Sequence, residues 1–245
     1  MHAIDDIFMV DVEIILPCYN PQDGWAGGIL KNMKALQDKH PELSLGCIVV
    51  NDGSAKGFTL EDFSFLIQHI PNCKVYSYSD NKGKGYAVRY GIERSEAPYL
   101  MYTDIDFPFE ISSMQAMLDT LLAGKDIVLG HRQKSYDHQL HAFRRVLSSG
   151  SHLFNRVLLG LPFTDTQGGL KCFNTRGKEY MMRTKINRYL FDTEFLLLAS
   201  KVQELKIKEI PIDTIPGIQL GDMGFSTLKK EIAGMFRLLF IKFFR

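Results

Sequence analysis

The sequence predicts an α/β fold in which a mainly parallel, Rossmann-like sheet is flanked by helices. Apolar, β-branched runs alternate with segments of helical period, and repeated β-α-β units of this kind build parallel sheets. The strand-like runs are almost continuously apolar, which indicates burial on both faces of the sheet. No Pro/Gly/Ser-rich linker and no internal repeat interrupts the 245 residues. We therefore expect one domain with a less regular second half.

Turn residues and apolar periodicity set the bounds of each predicted element. The first strand stops at Pro17, and the second ends at the turn Asn51-Asp52-Gly53-Ser54. The predicted strands are Val12–Leu16, Leu45–Val50, Lys74–Ser79, Tyr99–Thr103, Asp126–Gly130, Gly168–Asn174 and Ile207–Ile215. The predicted helices are Ile29–Gln37, Leu60–Ile70, Gly85–Arg94, Ile111–Ala123, Phe143–Leu159 and Glu194–Leu205.

Composition argues against several classes of protein. The net charge of +1 gives no overall basic field of the kind that binds nucleic acid, so no nucleic-acid partner is expected. The N-terminus lacks the basic start and apolar core of a signal peptide, and no run reaches the roughly 18 apolar residues that span a bilayer. None of the four cysteines forms a CxxC pair. Buried, reduced thiols in a cytoplasmic protein are therefore expected.

Two aspartates, Asp104 and Asp106, follow directly after the predicted strand Tyr99–Thr103. Ligands of open α/β sheets bind beyond the carboxyl ends of the strands. In an extended segment, residues i and i+2 point the same way, and two carboxylates on one side suit Mg²⁺ or Mn²⁺, which prefer oxygen ligands. A pair of solvated turn aspartates is the structural alternative. The polar residues that follow the other early strands favour a metal site that holds substrate phosphates.

Two further loops at the same predicted edge give a weaker signal. Asp52 is either part of a turn or a ligand of a nucleotide base or ribose. The segment Asn81–Gly85 lacks the spacing of a P-loop. Its glycines either allow close approach to a ligand or begin a helix with solvated lysines. Lys82 is the candidate substrate-binding residue of this loop.

In this order and spacing, the strand-end motifs resemble those of family 2 glycosyltransferases of the GT-A fold. Later segments narrow the resemblance to the dolichyl-phosphate glucosyltransferase and mannosyltransferase group, and the DTQxGxKxF pattern lies nearer the glucosyltransferases. In this chain Gly168 replaces the usual cysteine of that motif, and Pro108 replaces a residue that helps hold the metal in part of the family. The segments that carry the resemblance are Pro17–Asn20, Asn51–Ser54, Asn81–Gly85, Thr103–Asp106, Phe143-Arg144, Ser149-Gly150, Asp165–Phe173 and Phe191–Glu194.

The resemblance implies an inverting transfer of a hexose, glucose rather than mannose, to a polyprenyl phosphate. The donor would be UDP-glucose or GDP-mannose, and the cofactor Mg²⁺ or Mn²⁺. On the donor side, Pro17, Tyr19 and Asp52 would contact the nucleotide. Asp104 and Asp106 would hold the metal and the diphosphate, and Asp106 would take part in catalysis.

The resemblance also implies the residues on the acceptor side. Arg132, Arg144 and Ser148 would steady the acceptor phosphate and the donor diphosphate, and Asp165 and Gln167 would line the acceptor site. A phosphate monoester is mostly dianionic at neutral pH, so it is already a nucleophile and positioning matters more than a strong base. We therefore expect the two arginines to position phosphate rather than to exchange protons. Asp165 is a possible base if the acceptor is a hydroxyl.

The C-terminal segment Leu228–Arg245 predicts an amphipathic helix. Its apolar residues recur at i, i+3, i+4 and i+7, and its basic residues lie mostly on other faces. Such a helix suits a membrane interface. A last helix that packs on the core, or a partner interface, is the alternative. We expect residues 1–225 to form the transferase domain and residues 226–245 to lie on the cytoplasmic face of a membrane.

Two other functions remain open at this point. The first is a family 2 transferase that glycosylates a saccharide or protein hydroxyl, which would need a working base. The second is a catalytically inactive nucleotide-binding scaffold. The sequence also leaves the oligomeric state open, and a homo-oligomer is one possibility.

Overall fold

The sheet of the computed structural model confirms the predicted α/β architecture. The structure describes residues 10–132, 154–215 and 225–244. The strands are Val12–Cys18 (β1), Leu45–Asp52 (β2), Cys73–Tyr78 (β3), Tyr99–Tyr102 (β4), Ile127–Arg132 (β5), Lys171–Asn174 (β6) and Ile207–Ile212 (β7). They form a 7-stranded sheet in the order β3-β2-β1-β4-β6-β5-β7. Every neighbouring pair is parallel except those of β6, which is antiparallel to both β4 and β5.

Helices cover both faces of this sheet. They are Trp25–Lys39 (α1), Leu60–His69 (α2), Lys84–Glu93 (α3), Ile111–Leu122 (α4), Thr175–Arg183 (α5), Phe191–Ala199 (α6) and Phe225–Phe244 (α7). Alternate residues of β1 point to opposite faces. Ile14 and Leu16 pack with α1, α2 and α4, whereas Ile15 packs with α3, α5 and α6. This two-sided burial explains the continuous apolar character of the strands.

The second half differs from its predicted elements in several places, and β6 begins at Lys171 rather than at the predicted Gly168. The helix predicted over Glu194–Leu205 runs instead over Phe191–Ala199. Its first turn contains buried polar residues, which apolar periodicity does not assign to a helix that packs on the core. The last strand ends at Ile212, three residues before its predicted end. Helix α5 was not predicted, and it follows β6 directly.

Two predictions fall partly or wholly outside the described residues. Of the helix predicted over Phe143–Leu159, the described end, Phe154–Leu158, is a π-helical turn, and the rest lies outside the described residues. Arg144 and Ser148 also lie outside them. In the part of the chain that the structure describes, no helix has both the length and the apolar character needed to cross a bilayer.

Helix α7 packs against the body of the protein through one apolar face. Leu238 and Ile241 are buried against Leu197 of α6 and against the segment that follows the π-helical turn. All four cysteines are free thiols in the structure, and all but Cys73 are buried. The parallel strands bring the carboxyl ends of β1, β2, β4 and β5 to one edge of the sheet. Because β6 is antiparallel, the segment that leads into it reaches the same edge.

Candidate active site

Asp52, at the end of β2, ties two loops of the sheet edge together. Its carboxylate accepts hydrogen bonds from the backbone N–H groups of Lys82 at 2.7 Å and Gly83 at 2.9 Å, and from the Asn81 side chain at 2.9 Å. The side chain is buried. Asp52 therefore shapes the 81–83 loop directly, and its predicted contact with a nucleotide stays a prediction.

The start of α3 does not form a phosphate loop from its backbone. The N–H groups of Lys82 and Gly83 are taken by Asp52, and those of Gly85 and Tyr86 both donate to the Asn187 carbonyl. Because these donors are already engaged, the backbone offers a phosphate little beyond the field of the helix. What this loop presents to the site is a lysine side chain.

That lysine is Lys84 rather than Lys82. The Lys84 ammonium forms a short ion pair with the Asp104 carboxylate. The Lys82 ammonium instead lies over the rings of Tyr78 and Tyr86, at 5.2 and 4.7 Å from their centroids, and substrate binding by Lys82 stays a prediction. A sequence that carries two lysines two positions apart does not reveal which one faces the site. The left-handed backbone at Gly83, with φ at 102°, sets the direction of the helix start.

Asp104 and Asp106 follow β4, as predicted, and each is accessible to solvent. The Asp104 side chain is 34% exposed. Partial burial, and then the negative charge of Asp104, raise the pKa of Asp106. Burial alone would lower the pKa of Lys84, but Asp104 and then Asp192 raise it above its usual value. The edge therefore holds two carboxylates that repel one another and one charged lysine that pairs with the first.

The segment Asp165–Leu170 closes the site from the other side, and its two glycines permit the approach. A Cβ on Gly169 would lie 2.6 Å from the Asp104 carboxylate oxygen, and a Cβ on Gly168 would lie 2.6 Å from the Gly130 carbonyl oxygen. Each is far inside van der Waals contact. Close backbone approach thus brings the 165–170 segment against Asp104 and the end of β5, and glycine at 168 permits it.

Asp165 and Arg132 were predicted separately and prove to be partners. The guanidinium donates from Nε to Asp165 Oδ2 at 2.7 Å and from Nη2 to Oδ1 at 3.2 Å. Burial alone would raise the pKa of Asp165, but the Arg132 charge and hydrogen bonds hold it below its usual range. A carboxylate held ionised in this way is a weak proton acceptor.

A buried ion pair anchors the same segment from below. Lys171, which begins β6, donates to the Gly168 carbonyl at 2.5 Å and forms a 2.8 Å ion pair with Asp192. The Tyr102 hydroxyl also donates to Asp192. Burial, and then the Asp192 charge, raise the pKa of Tyr102 well above its usual value. Lys171 and Asp192 are almost fully buried, so the position of Gly168 is fixed by charges that water does not screen.

The first turn of α6 continues this anchoring with two more polar side chains. Thr193 and Thr166 lie within hydrogen-bond distance at 3.2 Å, and Asn155 donates to Thr166 at 2.7 Å. Glu194 accepts the backbone N–H groups of Lys185 and Ile186 at 2.7 and 2.6 Å. Asp192 and Glu194 are therefore structural carboxylates. They bond to other segments of the chain and do not cap their own helix.

The remaining predicted residues lie at the same edge. Pro17 is the next-to-last residue of β1, and Tyr19, just beyond the strand, is 51% exposed. The neighbouring Asn20 joins this loop to the one after β2, because its side-chain oxygen accepts hydrogen bonds from the backbone N–H groups of Ala55 at 2.8 Å and Lys56 at 3.2 Å. Gln167 is half-buried in the 165–170 segment. The contacts of Pro17, Tyr19 and Gln167 with a substrate stay predictions.

Comparison with known families identifies the family to which this chain belongs. Residues 13–187 match the model of glycosyl transferase family 2. The chain belongs to this family.

Curated relatives narrow the position within family 2. A dolichyl-phosphate beta-glucosyltransferase of Dictyostelium discoideum is 30% identical over 226 residues, which cover 86% of this chain and 68% of that protein. The Homo sapiens dolichyl-phosphate beta-glucosyltransferase is 26% identical over 220 residues, or 82% of this chain and 66% of that protein. The resemblance inferred from the strand-end motifs is thereby confirmed.

Solved structures confirm the GT-A fold. Glucosyl-3-phosphoglycerate synthase from Mycobacterium tuberculosis, in complex with Mn²⁺, UDP and product, superposes with a TM-score of 0.61 at 14% identity, covering 95% of this chain and 80% of that one. A mannosyltransferase from Pyrobaculum calidifontis, in complex with GDP-mannose and Mn²⁺, superposes with a TM-score of 0.55 at 16% identity, covering 96% and 64%.

The donor edge of this family 2 chain fits a divalent cation in part. Asp104 and Asp106 supply the hard oxygen ligands that Mg²⁺ and Mn²⁺ prefer. Among residues 10–132, 154–215 and 225–244, no group of three or more His, Cys, Asp or Glu side chains is placed to hold a metal. A divalent cation held by these two aspartates would take most of a six-ligand shell from water and substrate phosphates, which is the usual arrangement for Mg²⁺.

Proposed function

We propose that this chain transfers glucose, with inversion, from UDP-glucose to a polyprenyl phosphate. The names of the relatives support this proposal, since both the Dictyostelium and the human proteins are dolichyl-phosphate beta-glucosyltransferases. The DTQGGLKCF motif, which resembles the glucosyltransferases more than the mannosyltransferases, supports glucose over mannose. GDP-mannose remains the second donor to test.

The Asp165–Arg132 pair is the observation that carries the choice of acceptor. A saccharide or protein hydroxyl must lose a proton to a base during transfer. The carboxylate predicted for that task is bound by two hydrogen bonds from Arg132, and its pKa lies below the usual range. A phosphate acceptor is already ionised at neutral pH and needs orientation instead. The pair is therefore better suited to a phosphate acceptor than to a hydroxyl.

The other residues of the edge take complementary roles in this proposal. Asp104 and Asp106 would hold Mg²⁺ or Mn²⁺, which would supply positive charge beside the leaving diphosphate. Lys84 contributes a fixed positive charge beside the same diphosphate. Arg132 presents a rigid, planar cation toward the acceptor phosphate. Pro17, Tyr19 and Asp52 line the nucleotide, with Arg144, Ser148 and Gln167 as further predicted contacts.

We assign the C-terminal helix to the membrane that carries the lipid acceptor, on its cytoplasmic face. While Leu238 and Ile241 pack inward, Phe236, Phe240 and Phe243 are 60–68% exposed on the opposite side of α7. Val157 and Leu158, in the π-helical turn, are also exposed. Apolar side chains among the cations Arg156, Arg237 and Lys242 suit an anionic lipid interface. We keep residues 226–245 as a membrane-associated unit attached to the transferase domain.

A donor and acceptor screen tests the proposal. The purified chain is given radiolabelled UDP-glucose or GDP-mannose, with Mn²⁺, and either polyprenyl phosphate in lipid vesicles or soluble saccharide and peptide acceptors. The expected result is label from UDP-glucose in the organic phase as a mild-acid-labile lipid. Label confined to saccharides or peptides would favour the hydroxyl-transfer alternative. Nucleotide binding without any transfer would favour the inactive scaffold.

The same vesicles test the role of the helix. We expect the Phe236→Ser, Phe243→Ser double variant to lose about fivefold in its affinity for anionic vesicles, since two apolar rings would no longer leave water. Phe63→Ser, which changes an exposed ring on α2, is the matched control and should bind like the unmodified protein. Equal vesicle binding by the double variant and the control would contradict the assignment.

A further inference from the structure

Lys84 pairs with Asp104, one of the two carboxylates proposed to hold the metal. Its ammonium forms an ion pair with one carboxylate oxygen of Asp104. The Lys84 side chain is only 18% exposed, so its range of orientations is limited. A positive charge thus already lies on one of the two carboxylates of the donor edge.

Two carboxylates lie near Lys84. Asp104 forms an ion pair with its ammonium, and Asp192 is the next anion. Asp192 already has a partner, because Lys171 forms an ion pair with it at 2.8 Å and Tyr102 donates to it. Asp104 is thus the main partner of Lys84, and it is far more exposed than Asp192, whose side chain is 4% exposed.

A metal without a nucleotide would meet an unfavourable site. Two carboxylates provide at most part of the coordination shell, and one of them is neutralised by Lys84. A divalent ion brought to Asp104 would be repelled by the adjacent ammonium. A nucleotide diphosphate removes both obstacles. Its oxygens complete the coordination shell of the metal, and its negative charge offers the lysine another partner.

We propose that Lys84 is an internal counter-ion of Asp104. Its ion pair with Asp104 weakens metal binding until a nucleotide diphosphate binds and pairs with the lysine instead. The inference rests on the proposed function to the extent that the donor is a nucleotide-sugar. It makes Lys84 a positioning residue that couples nucleotide to metal. The coupling is reciprocal, so the nucleotide tightens metal binding by the same factor as the metal tightens nucleotide binding.

Direct binding measurements test this role without transfer. Free Mn²⁺ is counted by electron paramagnetic resonance as the full-length chain is titrated, first without nucleotide and then with saturating UDP. We expect Lys84→Met to bind Mn²⁺ about tenfold more tightly than the unmodified protein when nucleotide is absent, a factor within the usual range of coupling energies. By calorimetry, the same variant should bind metal-free UDP more weakly.

Two control variants separate charge from structure. Lys84→Arg keeps the charge and should keep weak Mn²⁺ binding. Lys34→Met removes an exposed lysine on α1, away from the sheet edge, so the affinity for Mn²⁺ without nucleotide should not change. If Lys84→Met binds Mn²⁺ no more tightly than the unmodified protein does, the counter-ion role is wrong.

The unmodified protein provides a second test that does not depend on the folding of a variant. Its affinity for Mn²⁺ should be low without UDP and should rise when UDP is bound. Equal affinity in the two conditions would also overturn the proposal. Since none of these measurements uses an acceptor, a chain that shows the reciprocal effect but transfers nothing to lipid would retain the Lys84 role and refute the proposed function.

Discussion

Two carboxylate–cation pairs lie at the same edge of the sheet, and they differ in exposure and geometry. Lys84 meets Asp104 through one oxygen, and the Asp104 side chain is 34% exposed. Arg132 meets Asp165 through two hydrogen bonds, and the Asp165 side chain is 9% exposed. In the proposed function, the first pair belongs to the donor half of the site and the second to the acceptor half.

The difference indicates which pair can exchange partners during a reaction. A single contact at a hydrated carboxylate costs little to replace, because water and an incoming ion compensate the lost partner. The Arg132–Asp165 pair is costly to break, since its nearly buried carboxylate would lose two hydrogen bonds to a cation away from water. The donor pair is thus suited to admit a metal and a diphosphate, whereas the acceptor pair is suited to hold its shape.

The largest expected effect comes from removing a donor carboxylate. Asp106→Asn should lower glucose transfer by about 10²–10³-fold, because the diphosphate loses a metal ligand where charge develops. Transfer of label from UDP-glucose to polyprenyl phosphate measures it. Asp38→Asn, on the exposed side of α1, is the control and should transfer normally. If Asp106→Asn transfers glucose at the rate of the unmodified protein, the assignment of the donor site to this edge is wrong.

The next effect is on stability, and it concerns the acceptor pair. Asp165→Asn removes the charge behind the two hydrogen bonds that join Asp165 to the Arg132 guanidinium, and we expect a loss of about 2–4 kcal/mol in the free energy of unfolding. Urea denaturation followed by circular dichroism measures this loss. Adding Arg132→Met to Asp165→Asn should cost less than the sum of the two single losses, since both substitutions remove the same pair. Strictly additive losses would show that the two side chains are not coupled.

The free energy of unfolding at acidic pH should depend on the same pair. Because the pKa of Asp165 is lowered in the folded protein, its ionised form stabilises the fold above the unfolded pKa of about 3.9. That contribution is lost as the pH falls through the lower folded pKa. Between pH 5 and 2, we expect unfolding free energy to fall more steeply in the unmodified protein than in Asp165→Asn. If the free energy of unfolding falls equally with pH in the two proteins, the pKa of Asp165 is not lowered by folding.

The smallest effect has the opposite sign and belongs to the donor side. Burial and the Asp104 charge raise the pKa of Asp106, so its ionised form opposes folding at neutral pH. Asp106→Asn should therefore raise the melting temperature slightly, by about 2 °C, although it lowers glucose transfer. Differential scanning calorimetry at pH 7 measures the shift. A lower melting temperature would mean that Asp106 supports the fold.

The donor half could be predicted from the sequence because its signals are local. Asp52, Asp104 and Asp106 each follow an apolar strand, and parallel strands bring such positions to one edge. The acceptor half depends on contacts between distant residues. Arg132 and Asp165 are 33 positions apart, and Tyr102 and Asp192 are 90 apart. No periodicity reports such pairings.

Two further features depend on backbone geometry that a pattern of residue types does not contain. Which lysine of Lys82-Gly83-Lys84 faces Asp104 depends on where α3 begins and on the positive φ of Gly83. The start of α6 was concealed because Asp192, Thr193 and Glu194 are buried polar residues, which a search for apolar periodicity treats as solvent-facing. Each is satisfied by a partner on another segment.

A crystal structure of the full chain with UDP-glucose and Mn²⁺ tests the central claim most directly. The account predicts an anomalous manganese peak coordinated by Asp104, Asp106 and the diphosphate, with the Lys84 ammonium on a phosphate oxygen and the Arg132–Asp165 pair unchanged. A manganese ion and diphosphate bound elsewhere, with Lys84 still paired to Asp104, would contradict it.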